Sequence, residues 1–171
     1  MALVQASDFK SNPIYKIFIS KQVETELSVM IDDVEENILQ DLLGCELYGL
    51  FITDLDTNTP QVPQNSPFTE IFEAICMDDE CGKIVSKGMV DMLQGFIYFE
   101  WERYNPFKAT ANGIVLSDSE NSTQANLIAS GVYNKYNRAV KSYHAIQEYI
   151  CKNSELYPTY NGKHKEFTSY I

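Results

Sequence analysis

A long early stretch of this chain contains no positive charge. Between Gln22 and Gly82 there is neither Lys nor Arg, against fifteen Asp and Glu, and the whole 171-residue chain carries a formal net charge of −11. A grip on nucleic-acid phosphates comes from Lys and Arg, so a surface of this sign is not built to bind DNA or RNA along its length. Net negative charge serves solubility. From Ser122 onward the balance reverses, with six Lys and Arg against Glu148, Glu155 and Glu166. That asymmetry lets one end of a copy attract the other end of a neighbour.

Other signals are also missing. The four cysteines, Cys45, Cys76, Cys81 and Cys151, form no CxxC pair, and there are only two histidines. This argues against a zinc site and against a dense disulfide framework. No Walker loop, Gly-rich dinucleotide fingerprint or Glu-x-x-His pair occurs. No run approaches the ~20 apolar residues of a membrane span. The start, MALVQASDFK, lacks the charged-then-apolar layout of a secretion signal, so an intracellular setting is expected.

What is present is helical periodicity in a chain long enough for one domain with a real core. Val23, Leu27, Ile31, Val34, Ile38 and Leu42 recur every three or four residues, and Gly44 is placed to end that helix. Leu47, Tyr48, Leu50, Phe51 and Leu55 predict a shorter helix after the corner. Residues 56–67 are rich in Asp, Thr, Asn, Pro and Gln and read as a loop. Phe68, Ile71, Phe72 and Ile75 predict a third short helix. Cys76–Lys87 reads either as a hairpin or as an irregular insertion.

The stretch from Gly88 to Asn121 organises the rest. Its first part, to Tyr104, is apolar almost all round at helical spacing, which places it at the centre of a bundle, with Ser86 as its expected N-cap. Gly88 and Gly95 weaken that helix, and their return is the close approach of another element. Pro106 stops it. Around Asn112-Gly113 the pattern becomes extended, predicting an arm or hairpin over Lys108–Leu116. A last long helix is expected from Asn121, where Asn121 and Gln124 resemble a capping box, to Lys152. Residues 1–13 are expected to form a loose lead-in, and 154–171 an irregular aromatic tail. The fold class expected is thus mainly α: a single helical domain over residues 1–153 and a C-terminal arm over 154–171.

The search for chemistry yields no catalytic, cofactor or metal residue. Asp32, Asp33, Glu35 and Glu36 are near-consecutive and point round a helix. Asp54, Asp56 and Asn58 imitate the start of a calcium loop, but the sixth position is Thr59 instead of Gly and the twelfth is Asn65 instead of Glu. His144 and His164 have no Ser–His–Asp or Cys–His setting. A helical core with surplus aromatic and extended material at its edges suits assembly better than turnover.

Two stretches carry a resemblance. One is Glu35-Glu36-Asn37-Ile38-Leu39-Gln40-Asp41-Leu42-Leu43-Gly44 followed by Leu47-Tyr48. The other runs from Gly88 through Tyr98 to Thr110-Ala111-Asn112-Gly113, then Glu120-Asn121-Ser122. Together they resemble the head–tail connector (adaptor) proteins of tailed bacteriophages, most of all those of crAss-like and related podovirus-type phages. The resemblance implies a mostly helical structural protein of the virion neck, assembled in the host cytoplasm. Copies would form a ring, typically twelvefold, between the portal protein and tail or further neck-ring proteins. DNA would pass through its channel without specific binding, and no cofactor or membrane would be involved. Subunit or portal contacts are then expected at Lys108, Thr110, Asn112, Gly113, Ile114 and Leu116, and in the tail at Tyr157, Tyr160, Phe167 and Tyr170. Asp32, Asp33, Glu35 and Glu36 are expected to face the channel. The alternative reading is a small helical binding or regulatory protein acting as a monomer or dimer.

Overall fold

The computed structural model describes residues 3–58, 60–79, 82–104, 107–110, 113–116, 131–161 and 167, with the backbone alone at 79, 82, 107–110 and 113–116. The fold is mainly α, and the described residues include two small antiparallel hairpins.

The chain opens on a short helix, α1 (Ala6–Ser11), where a loose lead-in was expected. Its N-terminus is tied by Asp8, whose carboxylate accepts the backbone N–H of Gln5 at 2.8 Å. Leu3, Val4, Ala6 and Phe9 are all buried, so this segment belongs to the core. Its apolar residues are too few to reveal a helical period in the sequence.

Helix α2 (Lys21–Asp54) starts at Ser20, whose Oγ accepts the N–H of Val23 at 3.3 Å. Leu27, Ile31, Val34, Leu39, Leu42 and Leu43 form its buried face. At Gly44 the backbone turns to φ 73° and ψ 163°, a conformation that side chains with a Cβ rarely adopt. The helix kinks there, and its second arm buries Leu47 and Phe51, as the periodicity predicts.

The 56–67 segment is a loop that ends on a cis Ser66–Pro67 bond. Helix α3 (Phe68–Phe72) follows. The predicted third helix is shorter than its apolar pattern, because Ile75 opens strand β1 (Ile75–Asp79). That strand pairs antiparallel with β2 (Gly82–Ser86), with Ile75 opposite Ser86 and Met77 opposite Ile84. Cys76–Lys87 is therefore a hairpin. Its inner face, with Ile75, Ile84 and Ser86, is buried, while Cys76, Lys83 and Val85 are exposed.

Ser86 ends β2 and does not cap the next helix; its Oγ accepts the N–H of Gly88 at 3.1 Å. Helix α4 (Met89–Tyr104) buries Met89, Met92, Leu93, Trp101 and everything from Gly95 to Phe99, and packs on both α2 and α5. The absent side chain of Gly95 sets that packing. A Cβ built there would lie 2.7 Å from the Cβ of Ala139 and 3.2 Å from the Tyr15 hydroxyl.

Strands β3 (Phe107–Thr110) and β4 (Gly113–Leu116) form the second hairpin, in register Lys108 with Val115 and Ala109 with Ile114. Helix α5 (Val132–Lys152) begins after Gly131, which takes the left-handed φ of 72°. Its described part covers the end of the predicted Asn121–Lys152 helix; residues 121–130, with the expected cap at Asn121 and Gln124, lie outside the described residues. Past α5 the chain turns back, and Tyr157 is only 1% exposed within the core. Packing thus runs on past residue 153, where the arm was expected to begin.

Candidate interaction surfaces

The acidic stretch resolves into two environments. Asp32, Asp33 and Glu36 are exposed on the outer side of α2. Glu35, expected to face the channel with them, is fully buried. Its Oε1 accepts the backbone N–H of Val4 at 2.6 Å and its Oε2 that of Leu3 at 3.4 Å. Burial pushes its carboxyl up to about 7, against the lowering effect of those two N–H groups. Glu35 is therefore a fastener for the N-terminal segment, and nothing in its sequence neighbourhood separates it from Glu36. The signal was present only in register: Glu35 follows Val34 and precedes Leu39 by four, on the apolar side of the helix.

The calcium-like run spends its carboxylates on its own loop. Asp54 accepts the backbone N–H groups of Gln64 and Asn65 at 2.9 and 3.0 Å, and the Asn65 side-chain amide at 2.6 Å. Slight burial works against the Asp54 charge, but these three donors hold its carboxyl below the usual range. The N–H of Val62, at 2.9 Å, does the same for Asp56. Among the described residues no group of three or more His, Cys, Asp and Glu is arranged to hold a metal ion.

Charged side chains meet between α4 and α5. Arg138 donates to Asp91 at 2.7 Å and lies 5.8 Å from the Tyr15 ring centre. Burial, with Asp91 nearby, pushes the Tyr15 hydroxyl up to about 12. One turn further on, Lys135 sits 4.1 Å over the Tyr98 ring. Burial raises the Glu102 carboxyl, which Tyr98 and Lys135 partly offset, and burial lowers Lys135. Arg138 and Asp91 pair across the helix interface, but the Tyr15 hydroxyl, Asp91 Oδ2 and Arg138 Nε are buried there without a hydrogen-bond partner. Tyr98, Glu102 and Lys135 line neither of the two cavities described for the fold.

The expected contact residues fall into four groups. Lys108, Thr110, Gly113, Ile114 and Leu116 lie on the β3–β4 hairpin, described by backbone alone; Asn112 and Tyr170 lie outside the described residues. Tyr157 is placed differently from the expectation: its hydroxyl donates to the Pro67 carbonyl at 2.9 Å, and its ring is core. A buried ring is unavailable to a neighbouring subunit. Tyr160 and Phe167 are half-buried and pack against the core.

Phe167 marks a site that residue patterns did not single out. Its ring centre is 4.7 Å from that of Tyr143 and 5.3 Å from that of Phe96. It borders a cavity of about 400 Å³ walled by Met30, Val34 and Ile38 of α2, Phe96 and Phe99 of α4, and Tyr136 of α5. The rim is polar, with Asp33, Asn37, Glu100 and Arg103. A second cavity, of about 530 Å³, lies where Leu3 and Asn12 meet Pro60, Val62, Phe72 and Val90.

No helix among the described residues is long and apolar enough to cross a membrane. Comparison with known proteins finds no family model, no curated protein and no solved structure that matches the chain.

Proposed function

We propose that this chain is a structural protein of a tailed-phage neck, a ring-forming connector between the portal and the tail, with no enzymatic activity. The observation that supports this best is the β3–β4 hairpin. Among the described residues it is a sheet of two strands, each of four residues, that touches the central helix. A lone two-stranded hairpin is marginal in water and gains stability from a further strand or an apolar partner. A neighbouring subunit or the portal supplies one.

The exposed carboxylates of Asp32, Asp33 and Glu36 fit the same reading. In the channel they repel the phosphate backbone, so that DNA slides past without binding. Glu35 takes no part in that, being inside the fold.

The test is the chain's place in an intact particle. Mass spectrometry of purified virions, followed by an electron-microscopic reconstruction of the neck, is expected to show it as a closed ring beneath the portal. A chain absent from the particle overturns the reading and favours a small helical binding or regulatory protein.

A further inference from the structure

Residues 3–12 lie along the fold as a narrow segment with two unlike flanks. Leu3, Val4, Ala6 and Phe9 are buried, and α1 packs on α2. On the other flank Leu3, Asp8, Asn12 and Pro13 border the cavity of about 530 Å³, so the segment faces a hollow there. Its polar ties to the rest of the fold are few. Among the described residues they are the bonds from Leu3 and Val4 to Glu35, that from the Asn12 amide to Gln94 at 2.8 Å, and the Phe9 carbonyl, which accepts the N–H of Ile17 at 3.0 Å.

Of these ties, those to Glu35 end on a group that titrates. Glu35 is fully buried, in a stretch of sequence, 22–82, that contains no Lys or Arg. Asp32, one turn earlier on α2, opposes its ionisation, and the N-terminal amine favours it. Tyr48, further along α2, feels the Glu35 charge but keeps its own proton through the neutral range. The two N–H donors lower the cost of a carboxylate in this place without cancelling the loss of its water.

We propose that residues 3–12 are a strap latched by Glu35, which lifts from α2 when that carboxyl loses its proton. In the closed strap the carboxyl is without water and holds its proton to about pH 7; in the lifted strap it meets water and returns to its ordinary range. Proton binding therefore favours the closed form. From about 4.5 to about 7 each pH unit shifts the balance toward the open strap by about tenfold, and above 7 the shift levels off. Opening uncovers Leu3, Val4 and Phe9 and the part of α2 on which α1 packs, while α4 and α5 stay packed on each other. The latch belongs to the single chain and does not depend on the ring reading.

The test is native-state hydrogen exchange of the full chain at low urea concentrations, between pH 5 and 7.5, with rates corrected for the intrinsic chemistry of exchange. The amides of 3–12 are expected to exchange through an opening that is nearly independent of urea, whereas those of α4 wait for urea-dependent global unfolding. That local opening is expected to become roughly fiftyfold more frequent from pH 5 to 7.5. In Glu35→Gln it is expected to stay constant within about twofold over the same range. Exchange of 3–12 with the same urea dependence as α4 overturns a separate release of the strap. A local opening that ignores pH in the wild type, or that follows pH equally in Glu35→Gln, overturns Glu35 as the latch.

Discussion

The Glu35 carboxylate and the backbone N–H of Val4 are 31 residues apart in the chain and 2.6 Å apart in the fold. The contact is buried, and together with the bond from Leu3 it joins a titratable side chain to the backbone of the N-terminal segment. A buried N–H left without a partner is costly, so the carboxylate and the N-terminal segment secure each other. The arrangement also makes the anchorage sensitive to pH.

Burial raises the Glu35 carboxyl from 4.5 to about 7, the Leu3 and Val4 N–H groups and the N-terminus acting in the opposite direction and Asp32 in the same one. Between those two values the folded chain binds the proton more tightly than the unfolded chain. This group's contribution to stability is therefore complete below about pH 4.5 and is lost as the pH rises through 7. Glu35→Gln mimics the neutral form and removes that dependence. In urea titrations, the variant is expected to gain on the wild type by up to about 3 kcal/mol as the pH rises from 4.5 to 8. Equal displacement of the two curves at every pH contradicts the burial of this carboxyl.

Gly95 and Ala139 set how closely α4 and α5 approach. Gly95→Ala improves helix propensity but places a methyl group 2.7 Å from the Ala139 Cβ. Overpacking of this kind costs about 1–3 kcal/mol. The urea midpoint is expected to fall accordingly, and Ala139→Gly in the same chain is expected to recover part of the loss, because it clears the space that the new methyl needs. Additive losses in the double variant rule out the direct contact.

The elements that sequence periodicity located are those with several apolar residues on one face. α2 with its corner at Gly44, the central α4 and most of α5 are of this kind. What periodicity could not supply were facts of tertiary register. Glu35 and Glu36 are adjacent and identical; helical register puts Glu35 on the side of Val34 and Leu39, but which segment covers it there is decided by packing from 31 residues away. Tyr157 reads as tail because Pro158 follows and no helical period surrounds it, yet its hydroxyl meets a carbonyl 90 positions earlier. The start of α5 depends on the left-handed backbone of Gly131, whose conformation the surrounding sequence does not announce. The cavity beside Phe167 is assembled from four separate parts of the chain, none of which carries a motif.

The exposed carboxylates of α2 are predicted to be dispensable for folding. Asp32→Asn, Asp33→Asn and Glu36→Gln each alter a solvated side chain, and such changes usually stay within about 0.5 kcal/mol. Thermal denaturation of the triple variant is expected to match the wild type closely. Under the proposed neck-ring reading, particles carrying the triple variant are expected to eject DNA more slowly, because the proposed repulsion between the channel wall and the phosphates would be gone. Unchanged ejection removes these residues from the channel.

Two truncations separate the tail's structural part from its anchoring part. Removing 162–171 deletes Phe167, a half-buried ring at the edge of the cavity, and leaves Tyr157 and Tyr160 in place. Circular dichroism is expected to show unchanged helicity, with a modest drop in the urea midpoint. Removing 157–171 also takes out Tyr157, a ring 1% exposed whose hydroxyl donates to Pro67. Loss of a large buried aromatic costs about 3–5 kcal/mol, a large part of the stability of a domain this size. The longer truncation is therefore expected to unfold readily or to lose helicity. Tyr157→Phe, which keeps the ring and drops only the hydrogen bond, is expected to cost about 1 kcal/mol. Equal stability of the two truncated chains would place the boundary of the domain before Tyr157, and the core position of its ring would then be wrong.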